Sequence, residues 1–275
     1  MGATSVEARA VGLVACPFPT VATTALALAL HDAAADRGLD VRLLPAGADG
    51  RVPAAQRREA ARWHGVVSVS CAGSPKPPAL GERRVVLDAV PSQSGWLRTR
   101  VAHVVPDDDG AARHLGRGIA AQAHAIVAVA AVGAEADVAT RWTNGLRPAL
   151  GRLGHVGLAW SASPSGAADR LQRILAAPTG SRPSVVAAMS DETASLVRSL
   201  LRAVGLDDRV RLITRTADDA EGGGWGVRLP VRAMAERALD LLAGVVATGA
   251  APHLVTTVPF VLAAPPARRD AVSVH

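Results

Sequence analysis

The feature that most constrains the fold of this 275-residue chain is a regular alternation of short apolar runs and longer amphipathic patterns. Runs rich in Val, Ala and Leu occupy residues 10–15, 40–45 and 65–70, and helical patterns follow the first two. Short strands that are apolar on both faces are typical of a parallel sheet covered by helices. The alternation therefore predicts an α/β fold built on a doubly wound parallel sheet.

The alternation starts again after Gly133. A helical pattern over 135–154 precedes a strand-like run over 155–160, and further strand and helix patterns follow in turn. Residues 227–244, "VRLPVRAMAERALDLLAG", then add another strand, a turn at Pro230 and an amphipathic helix, because apolar residues recur there at three- and four-residue steps. We therefore predict two doubly wound α/β lobes, with the first join near Gly133.

The composition supports large cores and a reducing environment. Apolar residues make up 49% of the chain but aromatic residues only 3%, so Ala, Val and Leu must build the cores. The two cysteines, Cys16 and Cys71, form no disulfide framework and favour a cytoplasmic location. No apolar run is long enough for a signal peptide or a membrane span, so we expect neither secretion nor a membrane partner.

The positive charge raises the question of a nucleic-acid partner. The net charge is +6, and arginine supplies nearly all of it, since Lys76 is the only lysine. The arginines are dispersed beside Asp and Glu along amphipathic segments, which is typical of solvated helix faces rather than of a nucleic-acid surface. We therefore predict that this chain alone does not bind DNA sequence-specifically.

The sequence contains no motif that points to catalysis. The segment "CPFPT" after the first strand lacks the glycines of a phosphate-binding loop, and "EGGGW" at 221–225 lacks the lysine of a Walker motif. The acids of "PDDDG" at 106–110 are consecutive rather than alternating, which fits an Asp-rich helix N-terminus better than a calcium loop. We predict no catalytic residues, no metal site and no cofactor, so the chain is not expected to be an enzyme.

Five segments, in order along the chain, resemble motifs of the effector-binding part of lactose-repressor-type (LacI/GalR) regulators. They are "AVGLVACPFPTVATTALALALHDAAADRG", "VVPDDDGAARHLGRGIAAQAH", "RWTNGLRPAL", "AAMSDETASLVRSLLRAVGL" and "VRLPVRAMAERALDLLAG". Each segment alone is a weak signal, but five in the right order are specific. The resemblance covers roughly residues 10–263.

The resemblance implies a periplasmic-binding-protein-like type I fold, in which a three-strand hinge joins two doubly wound lobes. It implies a first lobe of residues 10–133 and 228–250, a second lobe of residues 134–227 and 251–264, and a tail of residues 265–275. In such a fold the ligand lies in a cleft between the lobes, and the lobes close around it by a hinge motion.

By the same resemblance, the chain is expected to be the ligand-sensing domain of a transcriptional regulator that binds a small-molecule effector. Family members begin with a helix-turn-helix headpiece that reads DNA, whereas only nine residues precede the first predicted strand here. DNA contact is thus expected only through a headpiece absent from this chain. The resemblance and the apolar segments "TALALALHDAAA" and "ARWHGVV" predict a homodimer. Two alternatives stay open: a solute-binding protein for uptake, and a cleft-bearing enzyme or accessory protein that has lost DNA binding.

The candidate ligand-binding residues are chosen from the carboxyl ends of the predicted strands and from the resemblance. They are Phe18, Thr20, Ser70, Asp107, Arg141, Trp142, Ser190, Asp191, Thr216 and Trp225. Trp142 falls where the family has a ligand-binding arginine, and Arg141 precedes it. Either Trp142 packs into the core and Arg141 takes the ligand-binding role, or Trp142 lines a less polar site, with Phe18 and Trp225, for an aromatic or apolar ligand instead of a free sugar.

Overall fold

The protein forms two compact units in a computed structural model. The model describes residues 10–15, 20–47, 52–69, 84–87, 101–121, 126–151, 154–216, 225–249 and 255–262. The chain leaves the first unit after Asp107, returns to it at Pro230 and leaves it again after Pro259. The chain therefore passes between the two units three times.

The first unit contains a six-stranded parallel sheet. Its strands are β1 (Ala10–Ala15), β2 (Asp40–Pro45), β3 (Gly65–Val69), β4 (Arg84–Leu87), β5 (Ala102–Pro106) and β11 (Val255–Val258). They are arranged in the order β11-β5-β4-β3-β1-β2. The described helices of this unit are α1 (Val21–Ala35), α2 (Ala54–Ala60) and α7 (Val231–Thr248).

The helices of the first unit begin and end at residues that suit those positions. Thr20 caps α1, since its Oγ1 accepts from the Thr23 backbone N–H at 3.2 Å, and Thr23 Oγ1 accepts from the Thr20 N–H at 2.7 Å. Helix α7 ends at Gly249, whose φ of 69° lies in the left-handed region that glycine adopts without strain. Both helices pack on the sheet around an apolar core that includes Leu26, Leu30, Val67, Val85, Val104, Met234, Leu239 and Leu242.

The second unit repeats the same strand order. Its strands are β6 (Ile126–Val132), β7 (His155–Ser161), β8 (Val185–Ala188), β9 (Arg211–Thr216), β10 (Trp225–Arg228) and β12 (Val261–Leu262). The order is β12-β10-β9-β8-β6-β7, with five parallel strands and the short β12 antiparallel to β10. The helices are α3 (Asp108–Ala120), α4 (Ala136–Leu150), α5 (Pro164–Leu175) and α6 (Asp191–Ala203).

Two glycines allow α3 and α4 to pack closely on one face of the second sheet. A Cβ on Gly145 would lie 2.7 Å from Ala112 Cβ, and a Cβ on Gly116 would lie 2.6 Å from Ala149 Cβ. Such distances are shorter than any normal contact, so only glycine fits at these two positions. The opposite face is covered by α5 and α6, whose apolar side chains include Leu171, Leu175, Val197 and Leu201.

The prediction of two doubly wound α/β sheets is confirmed, but the boundaries differ from those expected. The first crossing lies after Asp107 and not near Gly133, because α3 packs on α4 and belongs to the second unit. The last crossing lies after Pro259 and not near residue 251, because β11 pairs with β5 in the first sheet. The return to the first unit comes at Pro230, close to the expected residue 228.

One strand was not predicted from the local sequence pattern. Residues Ala102–Pro106 form β5, which was not expected as a separate strand. Its pairing with both β4 and β11 places it well inside the first sheet. Among the helices in the described part of the chain, none is both long and apolar enough to span a membrane.

Candidate functional site

The carboxyl ends of the strands of the second sheet form the edge where a doubly wound fold binds ligands. Strand β6 has β7 on one side and β8 on the other, so the winding direction of the sheet reverses between β6 and β8. Ligands bind in the crevice outside the strand ends at such a point. Glu135 follows β6, and the predicted residues Ser190 and Asp191 follow β8.

Hydrogen bonds hold this edge in a fixed arrangement. Glu135 Oε2 accepts from the Val132 backbone N–H at 2.9 Å and from Thr193 Oγ1 at 2.8 Å. Ser190 caps α6, because its Oγ accepts from the Thr193 backbone N–H at 3.0 Å. Glu135 therefore ties the end of β6 to the first turn of α6. Trp160 Nε1 donates to the Gly133 carbonyl at 2.9 Å, which fixes the adjacent turn.

A buried carboxylate lies at the start of α3. The Asp108 side chain has no solvent exposure and accepts three hydrogen bonds. Its Oδ1 accepts from Trp142 Nε1 and from Arg215 Nε, each at 2.9 Å, and its Oδ2 accepts from Arg141 Nη2 at 2.9 Å. We call these four residues the Asp108 cluster. They come from α3, α4 and the end of β9, so the cluster lies near the carboxyl edge of the second sheet.

The two arginines of the Asp108 cluster differ in exposure. The Arg215 side chain is 5% exposed, and its guanidinium carbon lies 5.6 Å from the centroid of the Phe260 ring. The Arg141 side chain is 25% exposed, and its Nε is buried without a hydrogen-bond partner among the described residues. Arg215 is therefore held in the interior, whereas Arg141 reaches from the interior to the surface.

The structure corrects the expectation for Trp142. Its side chain is fully buried and packs with Leu146, Ile119 and Met189 in the core between α3, α4 and the sheet. Its only polar hydrogen is donated to Asp108. The hypothesis that Trp142 lines a less polar ligand site is therefore wrong. Trp142 instead packs in the core, as the alternative hypothesis predicted. The ligand-binding role of Arg141 stays a prediction.

The remaining predicted residues fall in several places. Thr20 uses its hydroxyl to cap α1 in the first unit, and Asp107 is half-buried, with its backbone N–H donating to the Val258 carbonyl at 2.9 Å. Thr216 is buried at the end of β9, and its carbonyl accepts from the Leu229 N–H at 2.8 Å. The backbone of Trp225 opposes Ile213 in the sheet. Phe18, Ser70 and the side chain of Trp225 lie outside the described residues.

Sequence reasoning missed Asp108, Arg215 and Glu135. The segment "PDDDG" indicated a helix N-terminus, but three consecutive aspartates give no local sign of which one is buried. Arg215 lies in "LITRT", where an arginine near a strand end resembles any edge residue. Only the packing of α3 against α4 and the sheet brings Asp108 to both Arg141 on α4 and Arg215 on β9.

The side chains of this edge offer hydrogen-bond donors and acceptors that are held in place by hydrogen bonds. Within the described residues, no group of three or more His, Cys, Asp or Glu side chains is placed to hold a metal ion. Guanidinium groups recognise carboxylate and phosphate oxygens, while Ser, Asp and Glu can pair with hydroxyls. The arrangement suits a small polar molecule.

Comparison with known proteins identifies the fold. No protein-family model matches the sequence, and no curated protein is significantly similar to it in sequence. The regulator Cra of Pseudomonas putida, solved with fructose 1-phosphate, is 19% identical with a TM-score of 0.70, over 94% of this chain and 100% of that one. A LacI transcriptional regulator from a Rhodococcus species is 18% identical with a TM-score of 0.68, over 94% and 99%.

A third similar structure is a binding protein rather than a regulator. The myo-inositol-binding protein of Caulobacter, solved with myo-inositol, is 19% identical with a TM-score of 0.69, over 96% of this chain and 95% of that one. At such identities the likeness establishes the fold alone. The chain therefore has the periplasmic-binding-protein-like type I fold, as the sequence motifs predicted.

Proposed function

We propose that this chain is the ligand-sensing domain of a LacI/GalR-type transcriptional regulator, with a small-molecule effector bound at the carboxyl edge of the second sheet. The observation that carries the proposal is the match of fold over nearly the whole length of both this chain and regulators of that family. The five ordered sequence motifs support it independently, because they are features of the amino-acid sequence and do not depend on the fold.

The polar groups at the edge of the second sheet support a polar effector. Arg141, Ser190 and Asp191 are partly accessible and lie next to hydrogen-bonded segments. A site built from paired donors and acceptors favours ligands that satisfy them and rejects apolar ones, which leave them unpaired. We accordingly favour a sugar-like or otherwise polar effector over an aromatic one.

A ligand screen tests this proposal. Thermal-shift measurements with neutral sugars, polyols and sugar phosphates should reveal compounds that raise the melting temperature, since a ligand of the folded state stabilises it by mass action. We expect Asp191→Asn to weaken binding of such a compound roughly tenfold or more, through the loss of a charge-assisted hydrogen bond. Asp208→Asn, at an exposed residue after α6, is the matched control. A panel without any stabilising compound would count against the proposal.

We infer further that the protein acts as a cytoplasmic homodimer and contacts DNA only through a separate headpiece. Leu28 on α1 is 62% exposed, which supports an apolar association surface within the segment "TALALALHDAAA". Light scattering should give twice the chain mass at micromolar concentration, and a monomer mass would refute the dimer. Binding of this chain alone to DNA should be weak and should disappear as salt rises.

A second candidate function is solute capture for uptake. It is favoured by the similarity to the myo-inositol-binding protein of Caulobacter. The genomic sequence directly upstream and in frame separates the two candidates. A helix-turn-helix segment there would favour the regulator, and a signal peptide would favour uptake.

A further inference from the structure

Strand β7 is an exposed edge of the second sheet. It pairs with β6 along its whole length and with no other strand in the described part of the chain. His155, Gly157 and Leu158 are exposed, and Leu158 keeps 42% of its surface open to solvent. A Cβ on Gly157 would meet no atom within 4 Å. The outer side of β7 therefore presents backbone N–H and C=O groups with no described strand beside them.

The corresponding edge of the first sheet is protected, whereas β7 is not. Because the two sheets have the same strand order, β2 occupies the position of β7. Strand β2 carries Asp40 and Arg42 and ends at Pro45, and charged residues and proline keep an edge strand from pairing with another chain. Strand β7, "HVGLAWS", contains no proline, and His155 is its only ionisable residue. β7 is thus a regular, mostly apolar template for a further strand.

An open groove of about 300 Å³ lies beside this edge. It is lined by Leu158 of β7 and by Arg170, Arg173 and Ile174 of α5. The three helical residues are three and four positions apart, so they share one face of α5. Leu158 and the half-buried Ile174 provide apolar surface, and both arginines are exposed. The groove therefore combines a free strand edge, apolar surface and positive charge.

The positive charge of the groove is not neutralised by ion pairs within the described residues. Neither Arg170 nor Arg173 forms an ion pair there, and Arg173 Nε donates only to the backbone carbonyl of Asp169, at 3.3 Å. Just beyond the end of α5, Arg182 Nε donates to the Ala177 carbonyl at 3.3 Å and adds a third guanidinium. Such a surface attracts carboxylates and repels another surface of the same charge.

We propose that β7 and this groove bind an extended acidic segment of a partner protein, which adds a strand to the second sheet beside β7. Main-chain hydrogen bonds to the edge of β7 supply affinity, carboxylates of the segment pair with Arg170 and Arg173, and its apolar side chains contact Leu158 and Ile174. A second copy of this chain fits less well, because pairing two β7 strands in antiparallel orientation brings the arginines of both copies together. The inference concerns a partner surface and does not depend on the effector.

The charge requirement is tested by fluorescence anisotropy of labelled peptides with the full chain at constant ionic strength. The peptides have the length of β7 and alternate valine with glutamate or valine with lysine. We expect the glutamate peptide to bind at micromolar concentration and the lysine peptide to bind at least about tenfold more weakly. The double variant Arg170→Glu, Arg173→Glu should weaken binding of the glutamate peptide by about tenfold or more. Arg198→Glu, Arg202→Glu on the neighbouring α6 makes the same change in net charge at exposed positions and should not alter it.

The main-chain pairing is tested by N-methylation of alternate residues of the glutamate peptide, in each of the two possible frames. Successive N–H groups of an extended chain point to opposite sides, so the N–H groups of only one frame face β7. We expect methylation in one frame to abolish binding and methylation in the other frame to preserve it. The side chains and the net charge of the two peptides are the same, so each peptide is the control for the other.

Several outcomes overturn the inference. They are no binding of the glutamate peptide, equal binding of the lysine peptide, full binding by the Arg170→Glu, Arg173→Glu variant, and equal effects of the two methylation frames. Should that variant not fold, Arg170→Gln with Arg173→Gln removes the charges and should still weaken binding. If Leu158→Arg converts a wild-type dimer to a monomer in light scattering, the groove joins two copies and the inference is wrong. The thermal-shift screen decides the ligand-sensing function separately.

Discussion

The two units have the same strand order, but different kinds of side chain are buried between the helices and the sheet. In the first unit, α1 and α7 enclose an apolar core, and their ion pairs lie at the surface, as in Arg37–Asp240 at 2.9 Å with side chains 34% and 54% exposed. In the second unit, α3 and α4 enclose the Asp108 cluster, in which Asp108 and Arg215 are almost entirely removed from solvent.

The comparison shows that two helices can pack on a sheet of this order around an apolar cluster. In the first unit the buried cluster that joins α1, α7 and the sheet is apolar, and the Arg37–Asp240 ion pair lies at its surface. Removing charges from water is costly, and a buried ion pair is often no more stable than apolar residues of similar size. We therefore interpret the Asp108 cluster as serving ligand binding, and not as a requirement for the folding of the second unit.

The largest effect is expected for Asp108→Ala. This change breaks the buried ion pair between Asp108 and Arg215 and should lower the free energy of unfolding by about 3–5 kcal/mol. Urea unfolding of the full chain, followed by circular dichroism, measures the loss. Asp240→Ala in the first unit breaks an exposed ion pair and should cost only about 0.2–1 kcal/mol. Equal losses for the two variants would refute the contrast between the units.

A smaller effect is expected for Trp142→Phe. Phenylalanine keeps most of the apolar contacts but removes the donor to Asp108, and loss of a hydrogen bond to a charged group should cost about 1.5–3 kcal/mol. Trp160→Phe is the matched control, because its indole donates to the neutral Gly133 carbonyl and its loss should cost about 0.5–1.5 kcal/mol. A Trp142→Phe variant as stable as the wild type would show that the indole hydrogen bond does not hold Asp108.

The smallest effect concerns the close approach of α3 and α4. In Gly145→Ala the new Cβ would lie 2.7 Å from Ala112 Cβ and 2.8 Å from the Asp109 carbonyl oxygen, so the helices must separate. We expect a net loss of about 1–2 kcal/mol after the better helix propensity of alanine is included. Gly244→Ala on α7 meets no atom within 4 Å and should instead stabilise the chain by up to about 1 kcal/mol. Stabilisation of both variants would contradict the tight packing.

Much of the fold was predictable because its signals are local. The apolar strand at 10–15 and the helix that follows Pro230 were predicted directly from local apolar patterns, and the strand has the expected bounds. The crossing after Asp107 was not predictable in this way. It depends on which sheet α3 packs against. The amphipathic pattern of a helix shows which face is buried but not which sheet covers that face.

The candidate site was less predictable than the fold. Ser190 and Asp191 were placed correctly at a strand end because helix caps follow strands in this topology. Trp142 and Arg141 could not be told apart from the sequence, since adjacent residues on a helix point in different directions and one of them must face the core. The burial of Asp108 depends on contacts with residues 33, 34 and 107 positions away, which no local pattern reports.

The most direct test of the claim that the Asp108 cluster serves binding rather than folding is to replace all of its charges together. The variant Asp108→Leu, Arg141→Met, Trp142→Phe, Arg215→Met removes one carboxylate, two guanidiniums and the indole donor, and it leaves apolar side chains in their place. We predict a free energy of unfolding within about 1 kcal/mol of the wild type or above it, together with loss of binding to the compounds of the ligand screen that the wild type binds. A variant that is destabilised as strongly as Asp108→Ala, or that still binds those compounds, would contradict the account.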